Sequence, residues 1–163
     1  MTSFYNRILN KFPVERIKFA FAYGSGVFKQ LNNDKPDKNM IDFVFVVDDS
    51  LKFHMENLKL NASHYSFLKH LGPYYLSKLQ NEFGAGCYYN TLIPVKLVDD
   101  DGGGGGEKND AQNIQLIKYG VMSEEALIRD LFDWDYLYMS GRLQKPVGIL
   151  SLNCFIISNK IMK

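Results

Sequence analysis

Apolar residues recur along this chain in two rhythms, one suited to helices and one to buried strands. Phe4, Ile8, Leu9 and Phe12 fall at helical spacing, which predicts a packed first helix. After Pro13 the run IKFAFAY, residues 17–23, is short, apolar and aromatic, and it stops at Gly24-Ser25-Gly26. Such a run predicts a buried strand that ends in a tight glycine turn. Val27 to Leu31 leave the turn, and the polar stretch NNDKPDKN crosses solvent before MIDFVFVV, residues 40–47. This is the most strand-like segment of the chain. Its β-branched and aromatic residues do not alternate with polar ones, which predicts a strand covered on both faces.

Asp48, Asp49 and Ser50 supply a helix start. Leu51, Met55 and Leu58, then Tyr65, Leu68 and Leu71, mark a helical region that Gly72-Pro73 interrupts, and a further helix is expected over 75–82. Residues 87–94 and 114–121 have strand character and are separated by KLVDDDGGGGGEKNDAQN. Consecutive glycines hold no defined geometry, so about 99–113 is expected to be a flexible insertion rather than a phosphate loop. Ser123-Glu124-Glu125-Ala126 opens a helix that Ser123 can cap, with apolar residues at helical intervals over 126–138, and it runs into GRLQKPV. The tail GILSLNCFIISNKIMK is apolar with no evident partner in the sequence. The expected organisation is one α/β domain over 1–147, a mixed central sheet flanked by helices, with 148–163 as the start of a truncated C-terminal region.

Composition narrows the possible partners. Nineteen basic residues oppose eighteen acidic ones, and a net charge of +1 makes no polycation to coat nucleic acid. Any anion site must be local. Cys87 and Cys154 belong to no metal-binding cluster and are expected to be free thiols in a reducing compartment. No apolar run approaches the ~20 residues of a membrane-spanning helix, so this stretch is expected to be soluble or peripheral. Arg7, Lys11, Arg16 and Lys18 against Glu15 give the N-terminus a faint presequence character, but the spacing of the apolar residues favours an ordinary packed helix.

The order strand, Gly24-Ser25-Gly26, short helix, strand bearing Asp42 is the layout of polymerase-β-like nucleotidyltransferases. Glycines at 24 and 26 would let backbone N–H groups approach phosphate oxygens, and Ser25 adds a hydroxyl donor. A GSG sequence also serves as a plain turn. Asp42 is more informative, because a carboxylate inside IDFVFVV is costly to bury unless it meets a metal, a strand end or hydrogen-bond donors. Transfer of a nucleotidyl group calls for Mg²⁺ on the triphosphate, and carboxylates are its preferred protein ligands. The superfamily normally has a second acid two residues on, where this chain has Val44. Asp48 lies ~20 Å farther along at ~3.3 Å per residue, too far to share one ion.

Other candidates have competing explanations. Lys118 in IKYGV is expected at a strand end, where its ammonium would hold phosphates or simply enter water. Arg142 and Lys145 flank a turn at a helix C-terminus, where the helix dipole favours cations whatever the function, but an arginine there also suits a lipid or nucleotide phosphate. His54, His64 and His70 are too irregularly spaced for a metal set. His64, within HYS, is the one retained as a phosphate or cytidine contact, against a structural role. Asn57, Asn61, Tyr65 and Ser66, and similarly Tyr88, Tyr89 and Asn90, could read a base or ribose, but capping and sheet packing are assigned to them first.

Several phrases resemble one family in particular: FAYGSGVFKQ, MIDFVFVVDD, NLKLNASHYSFLKHLGP, YLSKLQNEFGAGCYYN, IKYGV and DLFDWDYLYMSGRLQKPV. Their order over residues 19–147 is similar to that of the mitochondrial translocator assembly and maintenance proteins, which are phosphatidate cytidylyltransferases. The resemblance implies a Mg²⁺-dependent enzyme that joins CTP to phosphatidic acid and releases CDP-diacylglycerol for phosphatidylglycerol and cardiolipin synthesis. It implies peripheral attachment to the matrix side of the inner mitochondrial membrane. The chain departs from the family in its glycine-rich insertion and in stopping soon after Pro146-Val147. Two rivals stand beside this reading. One is a nucleotidyltransferase for another acceptor, although no basic, aromatic-interleaved surface points to nucleic acid. The other is a non-catalytic maintenance or interaction protein, which Val44 and the short chain favour.

Overall fold

The computed structural model describes residues 2–24, 40–96 and 114–152. Ser25, Gly26, the short helix expected after them and the glycine-rich insertion lie outside the described residues. Five α-helices and five strands occur among those described, in the order α1 (Thr2–Leu9), β1 (Ile17–Tyr23), β2 (Ile41–Val47), α2 (Ser50–Asn61), α3 (Gly72–Glu82), β3 (Cys87–Lys96), β4 (Ile114–Ser123), α4 (Glu124–Phe132), α5 (Tyr138–Leu143) and β5 (Val147–Leu152), with 3-10 turns at Val14–Arg16 and Ala62–Leu71. The fold is α/β, as expected. The strands form one sheet in the order β3-β4-β2-β1-β5, with β2 and β4 parallel and every other pair antiparallel.

Alternation along the strands divides the sheet into two faces with separate cores. Ile41, Phe43, Phe45 and Val47 of β2, with Ile117, Tyr119 and Val121 of β4, pack with Tyr5, Ile8, Leu9 and Phe12 at the N-terminus and Phe53 of α2. Val44 and Val46, with Phe21, Tyr23 and Met122, pack instead with Leu127 of α4 and Met139 of α5. β2 is therefore covered on both sides, as its unbroken apolar run predicts.

Helix ends follow ordinary capping chemistry. Asp49 accepts from the Lys52 N–H at 3.1 Å to start α2, and Ser123 Oγ accepts from the Ala126 N–H at 3.1 Å to start α4. The single helix expected to open at Ser123-Glu124 and run to Tyr138 is divided in two. Asp130 accepts from the N–H groups of Tyr136, Met139 and Ser140 at 2.9, 2.6 and 3.0 Å, and so terminates one helix and orients the next. Trp134 and Leu137, at φ 60° and 53°, bend the backbone between them.

Two expectations need correction. Leu51 and Met55 point outward, and α2 buries Phe53, His54 and Asn57 instead. Within the tail, residues 148–152 do find a partner: β5 pairs with β1, Val147 lying opposite Tyr23 and Gly148 opposite Ala22. The boundary expected at 147/148 thus runs through an edge strand of the sheet.

Candidate active site

Register across three strands assembles the site. Tyr23 at the end of β1 lies opposite Asp42 on β2, and Asp42 lies opposite Lys118 on β4. The three side chains form one row on the face of the sheet covered by α4 and α5. Gly24 follows directly, with φ +88°, a backbone conformation that glycine adopts without cost. A Cβ at that position would lie 3.4 Å from Asp42 Oδ2, so the glycine turn leaves β1 immediately beside the carboxylate.

Asp42 is the most unusual member. Its Oδ1 is buried and has no hydrogen-bond partner among the described residues. Burial raises its pKa above the ordinary carboxylate value, and the positive charges of Lys118 and then Arg142 oppose that rise. A buried acceptor without a donor is uncommon in native proteins and fits a bound cation. Mg²⁺ is often held by one or two carboxylates together with substrate phosphates and water. Among the described residues no group of three His, Cys, Asp or Glu side chains could complete an all-protein site. Val44, at the position of the usual second acid, is fully buried in the apolar core of this face.

Tyrosines hold the two cations beside this carboxylate. Lys118 Nζ lies 4.6 Å from the centroid of the Tyr89 ring. Arg142 Cζ lies 4.9 Å from the Tyr23 centroid and 5.0 Å from that of Tyr138, and its Nη2 donates to the Tyr138 hydroxyl at 3.2 Å. The hydroxyls of Tyr23 and Tyr89 approach to 3.4 Å. Tyr89 lies opposite Gly120, where a Cβ would come within 2.6 Å of the Tyr89 ring and 2.8 Å of Cys87 Sγ. The Cys87 thiol is free, and burial pushes its pKa up to about 12, which leaves it protonated and unreactive near neutral pH.

The family model for mitochondrial phosphatidate cytidylyltransferase matches residues 5–161. The chain belongs to that family. Its relatives carrying that name include a human protein, 49% identical over 150 residues, which cover 91% of this chain and 29% of the human protein. A Danio rerio relative is 48% identical, with coverage of 90% and 39%, and one from Drosophila melanogaster is 41% identical, with 90% and 41%. This chain therefore spans about two fifths of its cytidylyltransferase relatives at most.

Within this cytidylyltransferase-family chain, Gly24, Asp42, Lys118 and Arg142 come together at one end of the sheet. Lys118 is not at a strand end, as its motif suggested, but inside β4 and opposite Asp42. Lys145 is exposed just beyond α5, its N–H bonded to the Arg142 carbonyl. His64 is not brought to this cluster. It packs on the opposite face of the sheet against Phe12 and Tyr119, with Nδ1 3.1 Å from the Tyr119 hydroxyl. Asp48 also lies apart, past the far end of β2 and 3.8 Å from Arg16 Nη1.

Behind the sheet, His64 belongs to a buried polar network. Gln80 Nε2 donates to Ser50 Oγ at 2.6 Å, so Gln80 Oε1 accepts from His54 Nε2 at 2.9 Å. His54 Nδ1 is then the acceptor for the Tyr65 hydroxyl at 3.0 Å. Asn57 Nδ2 donates to the hydroxyls of both Tyr65 and Tyr119, at 2.7 and 3.1 Å. The Tyr119 hydroxyl also meets His64 Nδ1 at 3.1 Å. Burial depresses the pKa of His54 to about 4, and that of His64 falls for the same reason. Asn57 and Tyr65 thus lock the helical layer to the sheet.

Tyr23, Tyr138 and Gly120, which motif reasoning did not single out, and Tyr89, which it assigned to sheet packing first, join the candidate cluster. A glycine inside the strand-like run IKYGVM was the available signal, since such a glycine often marks close approach by another group.

Proposed function

We propose that this chain carries the nucleotidyl-transfer chemistry of its family, converting CTP and phosphatidic acid to CDP-diacylglycerol and pyrophosphate for phosphatidylglycerol and cardiolipin synthesis. The observation that carries the reading is Asp42, whose buried Oδ1 lacks a partner among the described residues, in a row that also holds Lys118 and within electrostatic reach of Arg142.

The layout of glycine turn and strand aspartate supports a polymerase-β-like arrangement, in which Gly24, Ser25 and Gly26 take the triphosphate. Asp42 is the residue that would hold Mg²⁺, and the ion supplies charge neutralisation on the phosphates. An oxygen of the phosphatidate phosphate attacks the α-phosphorus of CTP, and the bond to the leaving pyrophosphate breaks. A phosphate monoester has its second pKa near ~6, so the attacking oxygen is already largely ionised at neutral pH. No general base is required of the protein. The task left to its side chains is to bring two anions together and to stabilise the departing charge. Lys118 and Arg142 supply that charge, and Lys145 extends the basic surface toward the lipid phosphate. His64, a phosphate or cytidine contact by its motif, acts at most through Tyr119 and β4.

Peripheral attachment at the matrix side of the inner mitochondrial membrane accompanies this reading, supported by the mitochondrial names of the relatives and by a lipid acceptor. Among the described residues no helix is long and apolar enough to cross a membrane. Val44 favours a second reading, a family member that keeps the fold without turnover.

Labelled CTP, Mg²⁺ and phosphatidic acid vesicles distinguish the two. Formation of labelled CDP-diacylglycerol is the expected result. Mg²⁺-dependent CTP binding without lipid product would place part of the machinery elsewhere, and absence of CTP binding would favour the non-catalytic reading.

A further inference from the structure

Four cations among the described residues take carboxylate partners. Arg16 pairs with Glu56 and Asp48, Lys52 with Asp49, Lys78 with Glu82 and Arg129 with Asp135. Lys118 and Arg142 differ, since among the described residues neither has an acid within ion-pair distance. They rest on tyrosine rings instead, at 4.6 Å for Lys118 and 4.9 and 5.0 Å for Arg142.

The difference matters electrostatically. A carboxylate that fixes an ammonium also cancels its charge. An aromatic face attracts the cation through its quadrupole and leaves the full charge available to a third group. The cage is also internally braced. The Tyr89 and Tyr138 rings meet edge to face at 6.2 Å, and the Tyr89 and Tyr23 hydroxyls are 3.4 Å apart. The flat seating of Tyr89 exists only because residue 120 has no Cβ.

We propose that Tyr89 is a positioning residue: seated on Gly120, it fixes the Lys118 ammonium beside Asp42 without neutralising it, so that the site presents concentrated positive charge to a polyphosphate. This rests on the proposed function only for the identity of the nucleotide; the geometry itself calls for an anion with several phosphate oxygens.

The test uses inorganic pyrophosphate as the probe and Lys118 as the reporter. In the ¹³C-lysine-labelled wild-type chain, with the resonance assigned by its loss in Lys118→Arg, the ring current of Tyr89 should shift the Lys118 ε-CH₂ protons upfield. The shift should persist in Tyr89→Phe, which keeps the ring, and vanish in Tyr89→Leu. Calorimetric affinity for pyrophosphate with Mg²⁺ should fall about 2- to 30-fold in Tyr89→Leu, and by less in Tyr89→Phe. An unshifted Lys118 resonance in the wild-type chain would overturn the proposal even if Tyr89→Leu did not fold. So would a folded Tyr89→Leu that bound pyrophosphate as tightly as wild type. If the shifts and affinities followed this pattern but labelled CTP gave no lipid product, the positioning role would stand and the functional reading would fall.

Discussion

Replacing Gly120 with alanine adds a single methyl group at a point where the structure has no room for it. The new Cβ would lie 2.6 and 2.7 Å from two carbons of the Tyr89 ring and 2.8 Å from Cys87 Sγ. Ordinary carbon–carbon contacts sit at ~3.5–4.0 Å, so the ring must retreat by about 1 Å. Overpacking of this kind typically costs ~1–3 kcal/mol. A partial offset of ~0.4–1 kcal/mol comes from the reduced freedom of the unfolded chain when a glycine is replaced. The net loss expected is therefore about 1–2 kcal/mol. At ~2–4 °C per kcal/mol for a chain of this size, thermal unfolding followed by circular dichroism should show Tm lower by about 2–8 °C. Because the two shortest contacts are with the Tyr89 ring, and only that with Cys87 Sγ would remain, Tyr89→Leu combined with Gly120→Ala should cost less than the two single changes added together. A double-mutant cycle measures that difference directly, with a coupling of about 1 kcal/mol expected for groups in contact. Additive losses, or a Gly120→Ala variant as stable as wild type, would mean that the ring is not seated as described and that glycine at 120 has another cause.

Four further outcomes follow from the two faces of the sheet. Asp42→Asn should abolish cytidylyl transfer and leave the protein at least as stable at pH 7, because it removes a buried charge whose carboxylate has a raised pKa. That stability advantage should shrink as pH falls through the raised pKa, where wild-type Asp42 becomes neutral too; chemical denaturation at several pH values checks it, and loss of stability at pH 7 with activity retained would refute the assignment. His54 stays neutral in the folded chain down to about pH 4, whereas the unfolded chain takes up the proton near ~6.5. Stability should consequently fall between those two pH values by on the order of 3 kcal/mol from this group alone, and a His54→Gln variant should show a shallower slope in the same window. In single-turnover measurements Lys118→Ala should slow transfer by about 10²- to 10³-fold, since it removes charge needed as pyrophosphate leaves. His64→Gln, which alters only the far face, should keep the alkaline side of the pH profile, and its loss would show that His64 takes part in proton transfer.

Much of the fold was legible from the chain because its signals were apolar and local. β1 and β2 are dense hydrophobic runs, and their limits in the structure match the runs within a residue. The inward face of α2 was misread because its core-facing residues include His54 and Asn57, whose burial depends on partners in β4 and in the segments after α2. No hydropathy pattern signals such a network. Asp42 stood out as a charge inside an apolar strand, but the position of Lys118 depends on the parallel register of β4 against β2, which is a long-range pairing. Tyr89 was obscured for a related reason. Its partners Gly120, Lys118 and Tyr23 lie on other strands, so its own neighbours in sequence suggest only sheet packing.

Along the middle of β4, successive residues answer to different demands. Ile117, Tyr119 and Val121 belong to the core that joins the sheet to the N-terminal helices, whereas Lys118 and Gly120 lie on the side of Asp42. Inherited variation in this short stretch would therefore separate by parity. Changes at 117, 119 and 121 would lower how much protein survives quality control, with the surviving molecules chemically competent. A change at 118 would leave abundance near normal and slow each molecule, and residue 120 would show both defects, since its hydrogen atom is where packing and charge placement meet.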